Sequence, residues 1–451
     1  MLIHKFKFSG YNIVLDVNSG SVHIVDDILF AVLDVFDRAG EDAVIAAFKD
    51  KYTDKELREC LDDLKELCAE GLLFSKGEEL SDIFAEQPIV KSLCLHIAHD
   101  CNLRCKYCFA GTGDFGAGRS LMSKETGEKA IDFAIKHSQN RQNIDIDFFG
   151  GEPLVNPVVV RHLVKYARDR ERQTGKKLKL TLTTNGVLLS DKMMEFLNAN
   201  NILLVLSLDG RKEIHDKMRP LPGGQGSYDR AAGAFKRIIT LRDGKNYYLR
   251  GTYTHENLDF AEDVRHMATI GKELSMEPVV EKDAGYRITE EDLPYVFAEY
   301  EKLAGFYLEE YFAGRPFNFF HFNIDLSGGP CLPKRLSGCG AGHEYFAVTP
   351  EGDLYPCHQF VGREEYLLGN LDEGLKKPEI SWTFRNAHVL NKPECMKCWA
   401  RFYCSGGCHA NADLINGDIY KPYKIGCELQ KKRLECAIGI QVVIAEKKGD
   451  G

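Results

Sequence analysis

Apolar and polar positions alternate over Lys5 to Phe8, Tyr11 to Val17 and Ser21 to Val25, which predicts three short strands, with Asn18-Ser19-Gly20 as a hairpin turn. Helical periodicity follows over Ile28 to Asp37 and Glu41 to Tyr52. Thr53 then opens a third helix, Asp54 to Ala69, and an apolar strand over Leu72 to Ser75 closes a small α+β unit of winged-helix type. From Ser92 onward strand and helix patterns take turns. Strands are expected at Leu93 to Ala98, Ile144 to Phe149, Leu178 to Thr184, Ile202 to Ser207, Tyr247 to Tyr253 and Met276 to Glu281. Helices are expected to begin near Ser123, Asn156, Ser190, Ser227, Asn257 and Thr289, residues mostly suited to the N-cap. Six β/α pairs predict an α/β fold, a parallel sheet curved into a partial barrel, open at one side, with its chemistry at the strand C-termini. Beyond Gly314 periodicity fades and Gly, Pro and Cys dominate to Cys427, so something covalent or metallic is expected to hold that segment. The expected division is 1–75, a linker over 76–90, a barrel over 91–314 and a cysteine-rich domain over 315–451.

Composition narrows the function classes. Lys and Arg number 58 against 67 Asp and Glu, a net charge of −9, with the acids spread along the chain. A nucleic-acid partner bound through phosphate neutralisation is disfavoured. The longest apolar run, Ile202 to Leu208, falls far short of the ~20 residues that cross a bilayer, and Met1 to Gly10 lacks a secretory apolar region. No membrane partner and a cytoplasmic location are expected. The 15 cysteines are an odd number, better suited to thiolate ligands than to complete disulfide pairing. Cys60 and Cys68 fall in the third helix, as small core residues. Cys94 and Cys436 carry no assigned role.

Cys101, Cys105 and Cys108 form C-x3-C-x2-C where the first barrel strand ends. Three thiolates can hold three irons of a [4Fe-4S] cube and leave the fourth open; a zinc site completed by His96 or His99 is the alternative. The run Cys101-Asn102-Leu103-Arg104-Cys105-Lys106-Tyr107-Cys108-Phe109 resembles the signature of radical S-adenosylmethionine (SAM) enzymes. The resemblance implies that these cysteines bind the cluster whose open iron is chelated by SAM. One electron then cleaves SAM to a 5′-deoxyadenosyl radical that takes a hydrogen from substrate, and Tyr107 packs near the adenine. Gly150-Gly151-Glu152-Pro153 matches that family's GGEP motif; the glycines allow close backbone approach, and Glu152 can accept from an ammonium group. Ser207-Leu208-Asp209-Gly210 and the stretch ending in Arg219-Pro220 resemble the family's ribose and SAM-carboxylate contacts, assigned to Ser207 and Arg219. Thr184, Asn185 and Arg250 to Thr252 are expected to line the same pocket.

Downstream, Cys339, Cys357, Cys395, Cys398, Cys404, Cys408 and Cys427 reproduce the seven-cysteine pattern of SPASM domains, with a hairpin around Pro350 to Asp353 delivering Cys357. A double zinc ribbon has similar spacings. The SPASM resemblance implies two auxiliary [4Fe-4S] clusters and so three in all: Cys395, Cys398, Cys404 and Cys427 on the distal one, and Cys339, Cys357 and Cys408 on the nearer one. The fourth ligand of the nearer cluster is Cys331 or a substrate thiolate.

The N-terminal unit is similar to the PqqD-like elements that hold a ribosomal peptide's leader, here by adding a strand to a sheet edge. Winged-helix units also bind DNA, but Glu56, Glu59, Asp62, Asp63 and Glu66 oppose that. Together the parts resemble the maturases of six-cysteine (SCIFF) peptides, which are sactisynthases. That likeness implies a thioether (sactionine) bond between a Cys sulfur and the α-carbon of an acceptor residue, commonly Thr, in a Cys-rich precursor peptide, with a low-potential electron donor. The alternatives are an anaerobic sulfatase-type maturase that makes formylglycine, and a non-enzymatic iron–sulfur or zinc binding protein. No general base stands out, so the catalytic residues are left open.

Overall fold

The computed structural model describes residues 2–77, 87–282, 285–326 and 332–449; most of the expected linker and Cys331 lie outside the described residues. β1 (Ile3–Phe8), β2 (Tyr11–Asp16) and β3 (Val22–Val25) form an antiparallel sheet in that order, followed by α1 (Asp27–Ala39), α2 (Glu41–Phe48) and α3 (Asp54–Ala69). Asp26 caps α1 by accepting from the Leu29 N–H, and Thr53 with Glu56 closes a capping box on α3. Val14 of β2 packs with Val32, Leu33, Leu57, Leu61 and Leu64, and Cys60 joins that core as expected. Ile13 and Leu15, one residue out of phase, pack on the opposite face against Ile438 and Val442.

The strand expected over Leu72–Ser75 does not form. Leu73 and Phe74 are buried in the helical core, Phe74 takes φ 50°, and the polar backbone groups of Ser75 go to side chains instead of a ladder. The Ser75 N–H donates to Asp16 Oδ2 (3.0 Å) and its carbonyl accepts from Asn18 Nδ2 (2.9 Å). The outer edge of β3 therefore pairs with no strand among the described residues.

The second region runs through β4 (Ser92–His99), β5 (Ser120–Leu121), α4 (Lys124–His137), β6 (Asn143–Gly150), α5 (Pro157–Thr174), β7 (Lys177–Thr184), α6 (Asp191–Ala199), β8 (Leu203–Ser207), α7 (Lys212–Met218), α8 (Tyr228–Leu241), β9 (Tyr247–Tyr253), α9 (Phe260–Met267), β10 (Glu273–Pro278) and α10 (Leu293–Phe312). The six long strands are parallel neighbours in the order β10-β9-β8-β7-β6-β4. The last strand starts three residues earlier than expected and ends at Pro278. α9 and α10 start later than Asn257 and Thr289, because those residues make turns: Asn257 Oδ1 accepts from the Thr254 N–H, and the Thr289 N–H donates to Asp292.

Along each strand one set of side chains meets the helices, as Leu93, Leu95, Ile144, Ile146, Leu180, Leu182, Leu204 and Leu206 do. The alternate set, including Cys94, His96, Asp147, Thr181, Arg250 and Glu277, faces the concave side. β11 (Asn318–Phe319) extends the β10 edge, and β12 (Tyr345–Val348) pairs parallel with β4 before turning into β13 (Asp353–Tyr355). These edges do not meet among the described residues, so the barrel is open. The hairpin of the cysteine-rich segment is thus an extension of the barrel sheet.

A 25-residue helix, Lys424–Lys448, was not expected from the sequence. Its apolar residues follow no single stripe, because it is covered from two sides: it packs on α10, and Ile438 and Val442 meet the N-terminal sheet. Gly439 lets Phe8 approach, since a Cβ there would sit 2.3 Å from Phe8 Cγ. Among the described residues no helix is long and apolar enough to cross a membrane.

Candidate functional site

The Cys101–Cys108 loop begins two residues past β4 and is pinned from two directions. Its Arg104 and Lys106 N–H groups donate to the carbonyls of Pro220 (2.8 Å) and Met218 (2.9 Å). Behind it, the Gly151 and Glu152 N–H groups donate to Ala98 and Asp100. A Cβ on Gly150 (φ 122°) would lie 2.4 Å from the Ala98 carbonyl oxygen, and one on Gly151 would lie 2.3 Å from that of Asp100. The first two residues of GGEP are therefore glycine because the two strand ends lie this close.

Glu152 is buried and its carboxylate is occupied by this chain. Oε1 accepts from Thr184 Oγ1 (2.8 Å) and the Leu154 N–H (3.1 Å), and Oε2 accepts from the Asn185 N–H (2.8 Å). Burial raises its pKa to about 7 despite those bonds. Asn185 Nδ2 donates to Asn102 Oδ1 (2.9 Å) and lies 3.8 Å from Cys101 Sγ, which ties the third strand's end to the cysteine loop.

On the other flank Asp209 is a hub that the sequence reading passed over in favour of Ser207. Fully buried, it accepts from Tyr107 Oη (2.5 Å), Arg219 Nε (2.9 Å) and the Thr252 N–H (2.9 Å), and Arg219 lies over the Tyr107 ring. The signal available in the sequence was an acid between an apolar strand end and Gly210. Arg219 is thus held by Asp209 beside Cys105. Ser207 sits at the end of β8 opposite Arg250.

The thiols gather in three sets. Burial raises Cys101 to about 12, with Glu152 and then Cys105 and Cys108 adding to it. Cys357 is raised by burial and by Cys408 and Cys339. Cys427 is raised to about 12 by burial and by Cys404 and Cys398, and Cys395 to about 11, with Cys427 and Cys398 among its neighbours. The fold thus brings Cys105 and Cys108 near Cys101, Cys339 and Cys408 near Cys357, and Cys395, Cys398 and Cys404 near one another and Cys427. No three side chains among the described residues converge on the position of a single metal ion. Cys339 and Cys408 are exposed, unlike Cys357. Neighbouring thiols in sets of three, three and four are the donor chemistry that iron–sulfur clusters require. His96 and His99, candidates for a zinc alternative, turn to each other, Nδ1 to Nε2 at 3.0 Å.

The concave face carries polar groups from the knot towards Cys357. Tyr345 Oη contacts His358 Nδ1 (2.9 Å), and Cys94 neighbours Tyr345, Asp147 and Cys357. Burial raises Asp147 to about 6. Burial would also raise Glu277, but Arg433 Nη2 at 3.0 Å, His321 and Arg250 together hold it at about 2. On the N-terminal unit, a groove of about 540 Å³ runs between β3 and α3, floored by Ile24, Val25 and Leu67 and rimmed by Asp63, Glu66 and Glu70.

A family profile described as a 4Fe-4S single cluster domain matches residues 91–231, and SPASM, an iron-sulfur cluster-binding domain, matches residues 339–399. The chain is 24% identical over 364 residues to the radical SAM cyclopropyl synthase TigE of Paramaledivibacter caminithermalis, covering 76% of this chain and 72% of that protein. It is 26% identical over 332 residues to a cysteine-type anaerobic sulfatase-maturating enzyme of Clostridium perfringens, covering 69% and 87%. Among solved structures, anSMEcpe with bound AdoMet and Kp18Cys peptide has a TM-score of 0.65 at 21% identity, over 79% of this chain and 99% of that one. Streptococcus suis SuiB bound to S-adenosylmethionine has a TM-score of 0.53 at 18% identity, over 94% and 98%. At these identities the structural likeness concerns the fold.

Proposed function

The chain belongs to the radical SAM proteins that carry a SPASM domain, and from that premise we propose that it is a cytoplasmic maturase of a ribosomally made peptide, joining a Cys sulfur to the α-carbon of an acceptor residue as a thioether. One observation carries this reading: the concave face of an open barrel runs from the Cys101–Cys105–Cys108 knot to Cys357, so an extended peptide laid along it meets both thiol sets. The peptide bound to anSMEcpe supports such a substrate class. Bound at the knot, a [4Fe-4S] cluster with SAM would supply radical chemistry started by one electron.

This chain's residues hold and orient. Cys101, Cys105 and Cys108 would ligate that cluster; Cys339, Cys357 and Cys408 the nearer auxiliary one; Cys395, Cys398, Cys404 and Cys427 the distal one. Gly150 and Gly151 press the GGEP turn against the root of the knot, and Glu152, fixed by Thr184 and Asn185, presents a buried carboxylate suited to an ammonium group. Tyr107 and Arg219, both held by Asp209, form the opposite wall, with Ser207 at the end of β8. The barrel then spans 91–314 and the SPASM domain 315–451. Residues 1–75 bind the leader, whose backbone adds to the open β3 edge over the β3–α3 groove. Because the rim of that groove is acidic, the leader brings Lys or Arg there.

The test is anaerobic incubation with SAM, a low-potential reductant and a Cys-rich precursor peptide, followed by mass spectrometry and thiol alkylation. A thioether removes two hydrogens, keeps the sulfur and makes that cysteine inert to alkylation. The sulfatase-maturating relative favours a second reading, formylglycine, in which the sulfur leaves. Ring closure between carbons, the reaction TigE is named for, also removes two hydrogens but leaves every thiol alkylatable, and would overturn the thioether reading.

A further inference from the structure

Lys392 is fully buried, with a relative exposure of 0%. It precedes the short helix Pro393–Met396, and its Nζ donates to the Gly406 carbonyl at 2.9 Å. The segment above it, Cys404-Ser405-Gly406-Gly407-Cys408, passes the chain from one auxiliary thiol set to the other through two glycines with positive φ (87° and 74°), and a Cβ on Gly406 would lie 3.6 Å from Nζ. The titratable groups named around the ammonium are the thiols of Cys395, Cys339, Cys404 and Cys408, two from each set, with no carboxylate among them.

A buried cation without an anionic partner is costly, and buried lysines are normally paired. Lys392 meets that requirement only if the thiols around it carry negative charge, as cluster ligands do. Each one-electron reduction of a cluster adds a further negative charge close to the ammonium, which a fixed positive charge favours.

We propose that Lys392 is a shared counter-charge between the two auxiliary clusters, raising the reduction potential of both and relieving their mutual repulsion. It acts through the clusters and is a positioning residue, not a catalytic one. The geometry serves a reaction in which an electron leaves the substrate through these clusters, since it makes them better acceptors. The inference rests on the iron–sulfur reading of the two sets and not on the identity of the peptide.

The experiment uses the full chain carrying Cys101→Ala, Cys105→Ala and Cys108→Ala, so that only auxiliary clusters remain. It compares that background with added Lys392→Met or Lys392→Arg by iron analysis and EPR-monitored redox titration. With iron retained, Lys392→Met is expected to lower the reduction equilibrium constant at least tenfold, a shift of about −59 mV for one electron. Lys392→Arg, which keeps the charge, is expected to stay near the parent potential. Full iron with unchanged potentials in Lys392→Met overturns the role of Lys392 and leaves the maturase reading standing. If Lys392→Met loses iron, retention in Lys392→Arg supports the counter-charge and loss in both overturns it in favour of packing. A parent protein without auxiliary iron overturns both this inference and the iron–sulfur reading beneath it.

Discussion

Two carboxylates on opposite walls of the knot behave differently because their partners differ. Asp209 faces a buried guanidinium, so Asp209→Ala leaves the Arg219 charge uncompensated and is expected to lower stability by about 3 kcal/mol in urea unfolding. Asp209→Ala with Arg219→Met removes both charges and should recover much of that loss without restoring SAM binding, a non-additivity that separates the ion pair from general packing. Glu152 pairs with no cation among the described residues, and burial lifts it to about 7. Its raised value means that the free site gains a proton as pH falls below 7, and in the proposed role for Glu152 the ammonium of SAM has to displace that proton. SAM affinity in equilibrium dialysis is therefore expected to fall by up to tenfold per pH unit from 7 towards 5. Glu152→Gln should bind weakly at all pH values and flatten that dependence; an unchanged slope in the variant would place the titrating group elsewhere. At this scale the cysteines were readable because their close, regular spacing stands out along the chain. Asp209 was not, because an acid after an apolar strand is common and only the fold brings Tyr107, Arg219 and Thr252 to it.

Elements were legible wherever one face met a core and the other did not. The six barrel strands and the three N-terminal helices follow that rule, and their periodicity survives in the sequence. Lys424–Lys448 breaks it, being covered by α10 and by the N-terminal sheet at once, so its apolar positions wrap around the helix. Leu72–Ser75 breaks it in the other direction: its apolar side chains serve the helical core while Asp16 and Asn18 take the backbone groups of Ser75. The consequence is an outer edge of β3 that pairs with no strand among the described residues, bordered by the acidic face of α3. Asp63→Lys with Glu66→Lys, both on the solvent-facing rim, should leave the unit folded and weaken binding of a labelled leader peptide at least tenfold in fluorescence anisotropy. The wild-type affinity should fall with added salt, because exposed charges are screened within about 10 Å at 0.1 M. Equal affinity in the charge-reversed variant would move the leader to another surface.

At the scale of the whole molecule the three regions are bound by shared elements. The sheet of the N-terminal unit packs its second face on the helix that begins beside Cys427, and His4 stacks on Trp399 between Cys398 and Tyr403 with ring centroids 3.7 Å apart. The same helix reaches the barrel through Arg433, bonded to Tyr300 and Glu277. A leader held at β3 is thereby fixed relative to the distal thiol set and, through Arg433, to the concave face. Deleting residues 2–75 should therefore do two things at once. It removes the leader site, so the precursor should be left unmodified while SAM is still cleaved in the presence of reductant. It also uncovers Ile438, Val442 and Trp399, so the truncated chain should lose iron from the distal set or associate, as iron analysis and light scattering would reveal. Supplying the leader as a free peptide should not rescue it, since the surface proposed to bind the leader is gone. A truncated chain that keeps its full iron and still modifies the peptide would favour formylglycine formation, which does not need a leader, over a leader-guided thioether.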